Sequence, residues 1–190
     1  MQKKLRIGVF IAIALILVVG GYFLFFQKGP SEESSGSIFS SKTYSGDVSA
    51  LVLDLSDLPE GYKVISKGPR VKSDVSDKGI ELGWIEGYQI SFAGGDGTIF
   101  DATAISQSIS RYPIENISLI LGVKEEGYTQ EMLPNPNIGD NSIASKITDD
   151  STGIGLYRIE FVKKDIYMNF NTLGDFELLT ALAKKAANKI

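Results

Sequence analysis

Gly155-Leu-Tyr-Arg-Ile-Glu-Phe-Val-Lys-Lys-Asp-Ile-Tyr-Met-Asn-Phe-Asn-Thr-Leu173 reads as a β-hairpin. Tyr157, Ile159 and Phe161 fall at every second position, and Ile166, Met168 and Phe170 do the same on the return. Period two places each set on one face of a strand. Lys163-Lys164-Asp165 is short and polar enough for the tight turn between them. Asp175 then caps a terminal helix whose apolar stripe is Phe176, Leu179, Leu182, Ala183, Ala186 and Ile190. Lys184, Lys185 and Lys189 complement the negative end of its dipole.

A second hairpin precedes it. Trp84, Tyr88, Ile90 and Phe92 share one face of a strand over 84–93, with Gln89 and Ser91 opposite. Gly94-Gly95-Asp96-Gly97 turns the chain, and Thr98 to Arg111 returns with Ile99, Ile105 and Ile109 on one face and Ser106, Ser108 and Ser110 on the other. One packed and one polar face is the pattern of an antiparallel sheet. Tyr88-x-Ile90-x-Phe92 recurs as Tyr157-x-Ile159-x-Phe161, which raises a duplicated strand-strand-helix unit, although aromatic and β-branched residues are common in any strand. The expected class is α+β, an antiparallel sheet covered by helices.

The remaining segments fit around these hairpins. Ala50 to Leu58 alternates as a short strand, Leu58-Pro59-Glu60-Gly61-Tyr62 turns, and Tyr62 to Ser66 is a second short strand ended by Gly68-Pro69. Ser73 to Leu82 is expected as one or two helical turns capped by Ser73 or Asp74. Pro113 to Gly127 is expected as a helix, with Ile114, Ile117, Ile120, Leu121 and Lys124 at helical spacing. Tyr128 to Asn141, containing Pro134-Asn135-Pro136-Asn137, is expected as a loop of about fourteen residues, and loops of that length are disproportionately functional. Ser142 to Thr148 is a strand and Asp149 to Gly153 a turn.

The N-terminal part has a different composition. Ile7 to Phe26 is twenty residues without a charge, fourteen of them Ile, Leu, Val or Phe. At ~1.5 Å per residue such a helix reaches ~30 Å, the hydrocarbon thickness of a bilayer. Lys3, Lys4 and Arg6 precede it and only Lys28 follows closely, so the positive-inside bias keeps residues 1–6 in the cytoplasm and the rest outside. A cleaved signal peptide is the competing reading. Its apolar region is shorter, about 7–15 residues, and ends at small residues, whereas this run ends in Tyr22, Phe23, Phe25 and Phe26. Gly8 and Ala12 make one small-xxx-small pair, which is also tolerated with no packing role. Residues 27–46 are Ser- and Gly-rich and read as a flexible tether, in which only Ile38, Phe39 and Tyr44 have surface to dock. The expected organisation is therefore a cytoplasmic 1–6, a transmembrane helix 7–26, a linker 27–46 and an extracytoplasmic domain 47–190.

Charge and residue usage narrow the chemistry. All 23 acidic residues follow Phe26. Of the 19 basic residues, Lys3, Lys4, Arg6 and Lys28 lie at or before position 28, leaving 15 against 23 and a balance of −8 beyond it. An acidic domain is a poor nucleic-acid binder, because phosphate contacts need a basic surface. The chain has no His and no Cys, so Ser-His-Asp, Cys-His and zinc-thiolate arrangements are excluded, as are disulfides and a lipidated N-terminal Cys. No catalytic residue and no cofactor is expected. Asp96 and Asp101, and Asp149-Asp150, are oxygen ligands in search of a spaced calcium loop that the sequence lacks. Paired carboxylates of a hydrolase remain conceivable in any acidic domain. Trp84 fits the core better than a stacking platform, and Asn116-Ile117-Ser118 is a glycosylation sequon inside an expected helix.

Leu58-Pro59-Glu60-Gly61-Tyr62, Ile138-Gly139-Asp140 leading into a strand, and the hairpin 155–173 followed by a terminal helix resemble exported, membrane-anchored prokaryotic domains of the PsbP/LpqN-like fold, named after the photosystem II extrinsic P-protein and the mycobacterial LpqN-type lipoproteins. The resemblance spans about residues 50–190, and the missing lipobox Cys departs from the lipoprotein members. It implies an antiparallel sheet flanked by helices and an accessory role without catalysis. The expected function is a single-pass, membrane-anchored module that binds a protein or envelope partner through Tyr128, Met132, Pro134, Asn135, Pro136 and Asn137 and one sheet face. A domain binding a small molecule or metal ion is the alternative, and a carboxylate-based hydrolase the third reading.

Overall fold

The two hairpins meet in the middle of one sheet. The structure, a computed structural model, describes residues 43–94, 103–123 and 127–190. The expected transmembrane helix 7–26, residues 27–42 of the tether, and Asp96, Ile99 and Asp101 lie outside the described residues. Among the described residues no helix is long and apolar enough to cross a membrane. Seven strands, β1 (Lys63–Pro69), β2 (Glu86–Ala93), β3 (Ile105–Arg111), β4 (Tyr128–Leu133), β5 (Asn141–Asp149), β6 (Gly155–Lys163) and β7 (Ile166–Thr172), form one sheet in the order β1-β2-β3-β7-β6-β5-β4. Every neighbouring pair is antiparallel, and the joint between the halves is β3 against β7, with Ile109 opposite Met168.

One face carries the main core. Ile90, Phe92, Ile105, Ile109, Ile159, Phe161, Met168 and Phe170 are all buried there, as the alternation requires. Helix α2 (Phe176–Ala187) lies on this face over β6 and β7 and buries Leu179, Leu182, Ala183 and Ala186. Asp175 Oδ1 accepts from the backbone N–H of Glu177 (2.7 Å) and Leu178 (3.2 Å), so it is the N-cap the sequence foresaw. At the other end Lys163 Nζ donates to the Ala187 carbonyl (2.7 Å), one of the last carbonyls of the helix, which also accepts from Ile190 N–H at 3.4 Å.

Gln107 interrupts the apolar row of β3 and is only 1% exposed. Its Oε1 accepts from Leu53 N–H (2.8 Å) and its Nε2 donates to the Leu51 carbonyl (3.2 Å). The amide thus mimics a strand edge for a segment that is not a strand. The expected strand over 50–58 is corrected to two 3-10 turns, Val48–Leu51 and Leu55–Asp57. Leu51, Val52 and Leu53 are buried consecutively, which a half-buried strand cannot do.

The polypeptide docks before residue 47. Tyr44 N–H donates to Asp165 Oδ1 (2.6 Å), and Arg111 donates to the carbonyls of Tyr44 (3.1 Å) and Gly46 (2.7 Å). Arg111 Cζ also lies 5.9 Å from the Tyr44 ring centroid. Among the residues assigned to the tether, 43–46 are described, and Tyr44 packs on the main core.

Four further expectations are corrected. Over its described residues, 113–123 and 127, the helix expected over 113–127 is one 3-10 turn, Ile117–Ile120. Three Ile with Asn116 and Ser118 are weak helix formers, and Gly122 at φ +69° ends the turn. With no helix after the first hairpin among the described residues, the strand-strand-helix duplication reduces to two hairpins. The loop expected over 128–141 is strand β4 followed by a loop of residues 134–140. Only Leu133 of β4 packs on the main core, so an edge strand with one neighbour left almost no alternating signal. Helix α1 (Asp77–Glu81) is capped by Ser76, not by Ser73 or Asp74; Ser76 Oγ accepts from Gly79 N–H at 3.2 Å.

Candidate functional site

The residues expected to bind a partner do not converge. Tyr128 and Met132 stand in β4, four positions apart and so roughly 13 Å along one face. Met132 is 59% exposed and lies opposite Ser145. Pro134, Asn135, Pro136 and Asn137 follow beyond the end of the strand. Asn135 Oδ1 accepts from Asn137 N–H (2.8 Å) and from Ser142 Oγ (2.7 Å), and Ser142 Oγ accepts from Ile138 N–H (3.0 Å). The loop is therefore tied to itself and to β5. Asn137 adopts φ 53°, a conformation Asn tolerates better than most residues.

Gly139 fixes how that loop rejoins the sheet. It has φ +67°, and a Cβ there would lie 2.4 Å from the Val162 carbonyl oxygen. The close approach lets Asp140 N–H donate to that same oxygen at 2.8 Å.

The acidic candidates separate. Asp149 Oδ1 accepts from Ser151 Oγ (2.6 Å), Thr152 N–H (2.8 Å) and Ser151 N–H (2.9 Å), which closes the turn and holds its carboxyl below the usual range. Asp150 accepts from Thr129 Oγ1 (2.8 Å). Among the described residues no group of three or more acidic side chains is placed to hold a metal ion. Glu160 and Asp165 are both buried but sit in separate networks, Glu160 accepting from the Tyr167 hydroxyl and Asp165 from Tyr44 N–H. Asn116, the sequon residue, spends its Nδ2 on the Leu82 carbonyl (3.1 Å).

The polar face of the sheet is what sequence reasoning left undeveloped. Register aligns Gln89, Ser108, Asn169 and Glu160 in one row across β2, β3, β7 and β6. Ser91, Ser106, Asn171, Arg158 and Ser145 align in the next, on β2, β3, β7, β6 and β5. Asn171 accepts from Arg158 Nε (3.0 Å) and donates to Ser106 Oγ (3.4 Å), which links three strands. Asn169 Oδ1 and Ser145 Oγ are buried with no hydrogen-bond partner among the described residues. Orphaned buried polar atoms are uncommon in native proteins.

The adjacent row on the other side, Gly87, Ser110, Tyr167 and Val162, meets a small apolar cluster of Leu82, Tyr112, Ile117, Ile120, Val162 and Tyr167. Trp84 packs on this cluster half-buried and donates Nε1–H to Ser110 Oγ (3.2 Å). Ser110 Oγ also accepts from Arg70 Nη1 (2.8 Å), and Arg70 reaches the Asp74 carbonyl as well. Burial pushes the Tyr112 hydroxyl up to about 12, and burial together with the neighbouring Glu160 carboxylate raises the Tyr167 hydroxyl well above its usual value. Both phenols are neutral hydrogen-bonding groups. Burial also lowers the Arg70 value.

Comparison with protein-family models, with curated proteins and with solved structures gives no match for this chain. The chemistry of the polar face therefore rests on its own residues. A signal was present in the sequence: Ser106, Ser108 and Ser110 alternate on β3, and Asn169 and Asn171 on β7. Only the β3–β7 pairing puts the two runs side by side.

Proposed function

We propose that this chain is a single-pass, membrane-anchored binding module whose domain lies outside the cytoplasm and recruits a protein or envelope component, without catalysis of its own. The observation that carries the reading is the uncharged run Ile7 to Phe26 behind Lys3, Lys4 and Arg6. The PsbP/LpqN-like resemblance supports the accessory role. The edge strand β4 supports the recruitment of a protein. Tyr128 to Leu133 contains no Pro, no Lys and no bulge, whereas β1 at the other edge carries Lys63, Lys67, Pro69 and a register shift between Val64 and Ser66. Edges without such protection are the ones that accept a further strand.

The absence of Cys makes a direct test simple. Gln2→Cys and Ser151→Cys are introduced separately, and intact cells are treated with a membrane-impermeant maleimide. Ser151→Cys is expected to react in intact cells and Gln2→Cys only after lysis. Labelling of Gln2→Cys alone, or recovery of both unlabelled chains in the soluble fraction, rejects the topology. A photo-reactive residue at Met132 is expected to capture a discrete partner that Met132→Lys loses.

A further inference from the structure

We propose that the partner of edge strand β4 is β4 of a second copy of this chain, in an antiparallel pair centred on Gln130 that joins two sheets into one. The inference deepens the recruitment reading by naming the protein recruited, and rests on the membrane anchor only for the concentration at which copies meet.

Hydrogen-bond parity selects the register. Among the described residues β4 has β5 as its one neighbour in the sheet. Asp150 N–H donates to the Gly127 carbonyl at 3.1 Å, one step before Tyr128 opposite Asp149. Backbone groups of successive residues in an antiparallel strand face opposite sides, so Thr129, Glu131 and Leu133 face β5 while Gln130 and Met132 are turned outward. A two-fold pair must bond outward groups to outward groups, and three centres do so. A centre on Thr129 overlaps only residues 128–130 of β4. A centre on Glu131 sets two carboxylates opposite each other and brings Pro134, which has no N–H, to a bonding position. A centre on Gln130 overlaps residues 128–132. Gln130 then meets its own copy through two backbone bonds and a pair of side-chain amides, and Glu131 meets the neutral Thr129. Met132, 59% exposed, comes to lie opposite the Tyr128 ring.

Charge favours a copy over a foreign strand. Glu131 is the one charged residue of β4, and it already lies opposite Lys146 of β5. The outward edge is therefore balanced, and the same sequence matches it without leaving a charge unpaired. The far edge, β1, carries its lysines, its proline and its register shift, so each chain offers one open edge and pairing closes at two instead of running on as a fibre. The two-fold axis of an antiparallel pair stands normal to the sheet. Both domains thus present the same face, and both Tyr44 ends lie at one height, as two anchors in one bilayer require. One strand pair buries less than the roughly 1,200 Å² of a stable interface between free proteins. Residues 27–42 form a tether of about 20–25 Å, which holds copies in one bilayer at effective concentrations on the order of millimolar.

The test uses the full chain in phosphatidylcholine vesicles and exploits its lack of Cys. Thr129→Cys and Glu131→Cys chains are prepared separately and then mixed. A centre on Gln130 makes positions 129 and 131 a non-hydrogen-bonded pair with Cα atoms about 4.5 Å apart, within disulfide reach. The mixture is expected to form a disulfide-linked dimer at least tenfold faster than vesicles holding either variant alone. Adding Gln130→Glu to both chains, or Gln130→Lys to both, is expected to slow the reaction at least tenfold. Combining a Gln130→Glu chain with a Gln130→Lys chain is expected to restore it, which excludes misfolding as the cause of the loss. Equal rates in the mixture and in the single variants overturn the pairing, as does a Glu131→Cys chain that links fastest to itself, or a rate that neither charge variant changes. Vesicle flotation separates this inference from the anchor. Chains that float but do not link leave the anchor standing and the pairing overturned, and chains that link without floating do the reverse.

Discussion

Replacing Gln107 is the sharpest test of how the N-terminal segment is held. Gln107→Ala removes the donor to the Leu51 carbonyl and the acceptor for Leu53 N–H, at 3.2 and 2.8 Å. Leu51 and Leu53 are themselves fully buried, so water cannot replace either bond without opening the segment. Two orphaned groups at about 1–3 kcal/mol each give an expected loss of about 2–6 kcal/mol. For a domain of this size that lowers Tm by roughly 6–18 °C. Gln107→Glu is the discriminating variant. Its protonated form donates to Leu51 O and accepts from Leu53 N–H, whereas its ionised form sets an anionic oxygen against that carbonyl. Burial and this repulsion raise the folded-state pKa above the unfolded value of about 4.3. Stability is then near wild type below that value and is lost as pH rises through the folded pKa. Thermal unfolding of wild type, Gln107→Ala and Gln107→Glu from pH 3 to 8 reads all of this. A Gln107→Ala loss under 1 kcal/mol (about 3 °C), or a Gln107→Glu difference from wild type that is flat with pH, would refute the clamp.

Three other outcomes are expected. Arg111→Met strips the donor from the Tyr44 and Gly46 carbonyls and leaves Asp165 buried beside fewer positive charges; a loss of about 3 kcal/mol and faster proteolysis between residues 42 and 47 are expected, read by denaturant melts and limited digestion. Gly139→Ala meets the Val162 oxygen and adopts a strained φ, so it should cost more than about 2 kcal/mol, whereas Gly153→Ala, at φ +71° with open space around it, should cost about 1 kcal/mol. At Asp57 burial opposes ionisation, but the Asp54 N–H and Lys189 outweigh it and hold the carboxyl below its usual value. It contributes stability above the unfolded pKa of about 3.9, lost as pH falls through the lower folded value. Lys189→Met should flatten the dependence of Tm on pH between about 2 and 5.

Legibility followed how local each feature's cause was. The hairpin 155–173, the Asp175 cap and the stripe of α2 were readable because neighbours in the chain make them: alternation, a two-residue turn, an N-cap. The Asp149 turn was readable for the same reason. Tyr128 to Leu133 was not, because its strand conformation comes from pairing with β5, and an edge strand buries too little to show a pattern. Leu51 to Leu53 was misread because alternation in the sequence was mistaken for alternation in space, while a side chain 54 positions away supplied the hydrogen bond. Ile117 and Ile120 do reach a core, but through one tight turn of residues that form helices poorly.

Composition and periodicity were thus sufficient for an α+β domain with an antiparallel sheet, for a chain without thiol or imidazole chemistry, and for an apolar segment the length of a bilayer. They act through neighbours in the chain, whose side chains lie within one turn or one strand of each other. The joining of β3 to β7, the Gln107 clamp, the docking of Tyr44 and the assembly of Asn169 and Asn171 with Ser106 and Ser108 came only from tertiary structure. Each depends on residues at least 50 positions apart, and which of many such pairs meet is decided by the best burial of the whole sheet rather than by any one segment.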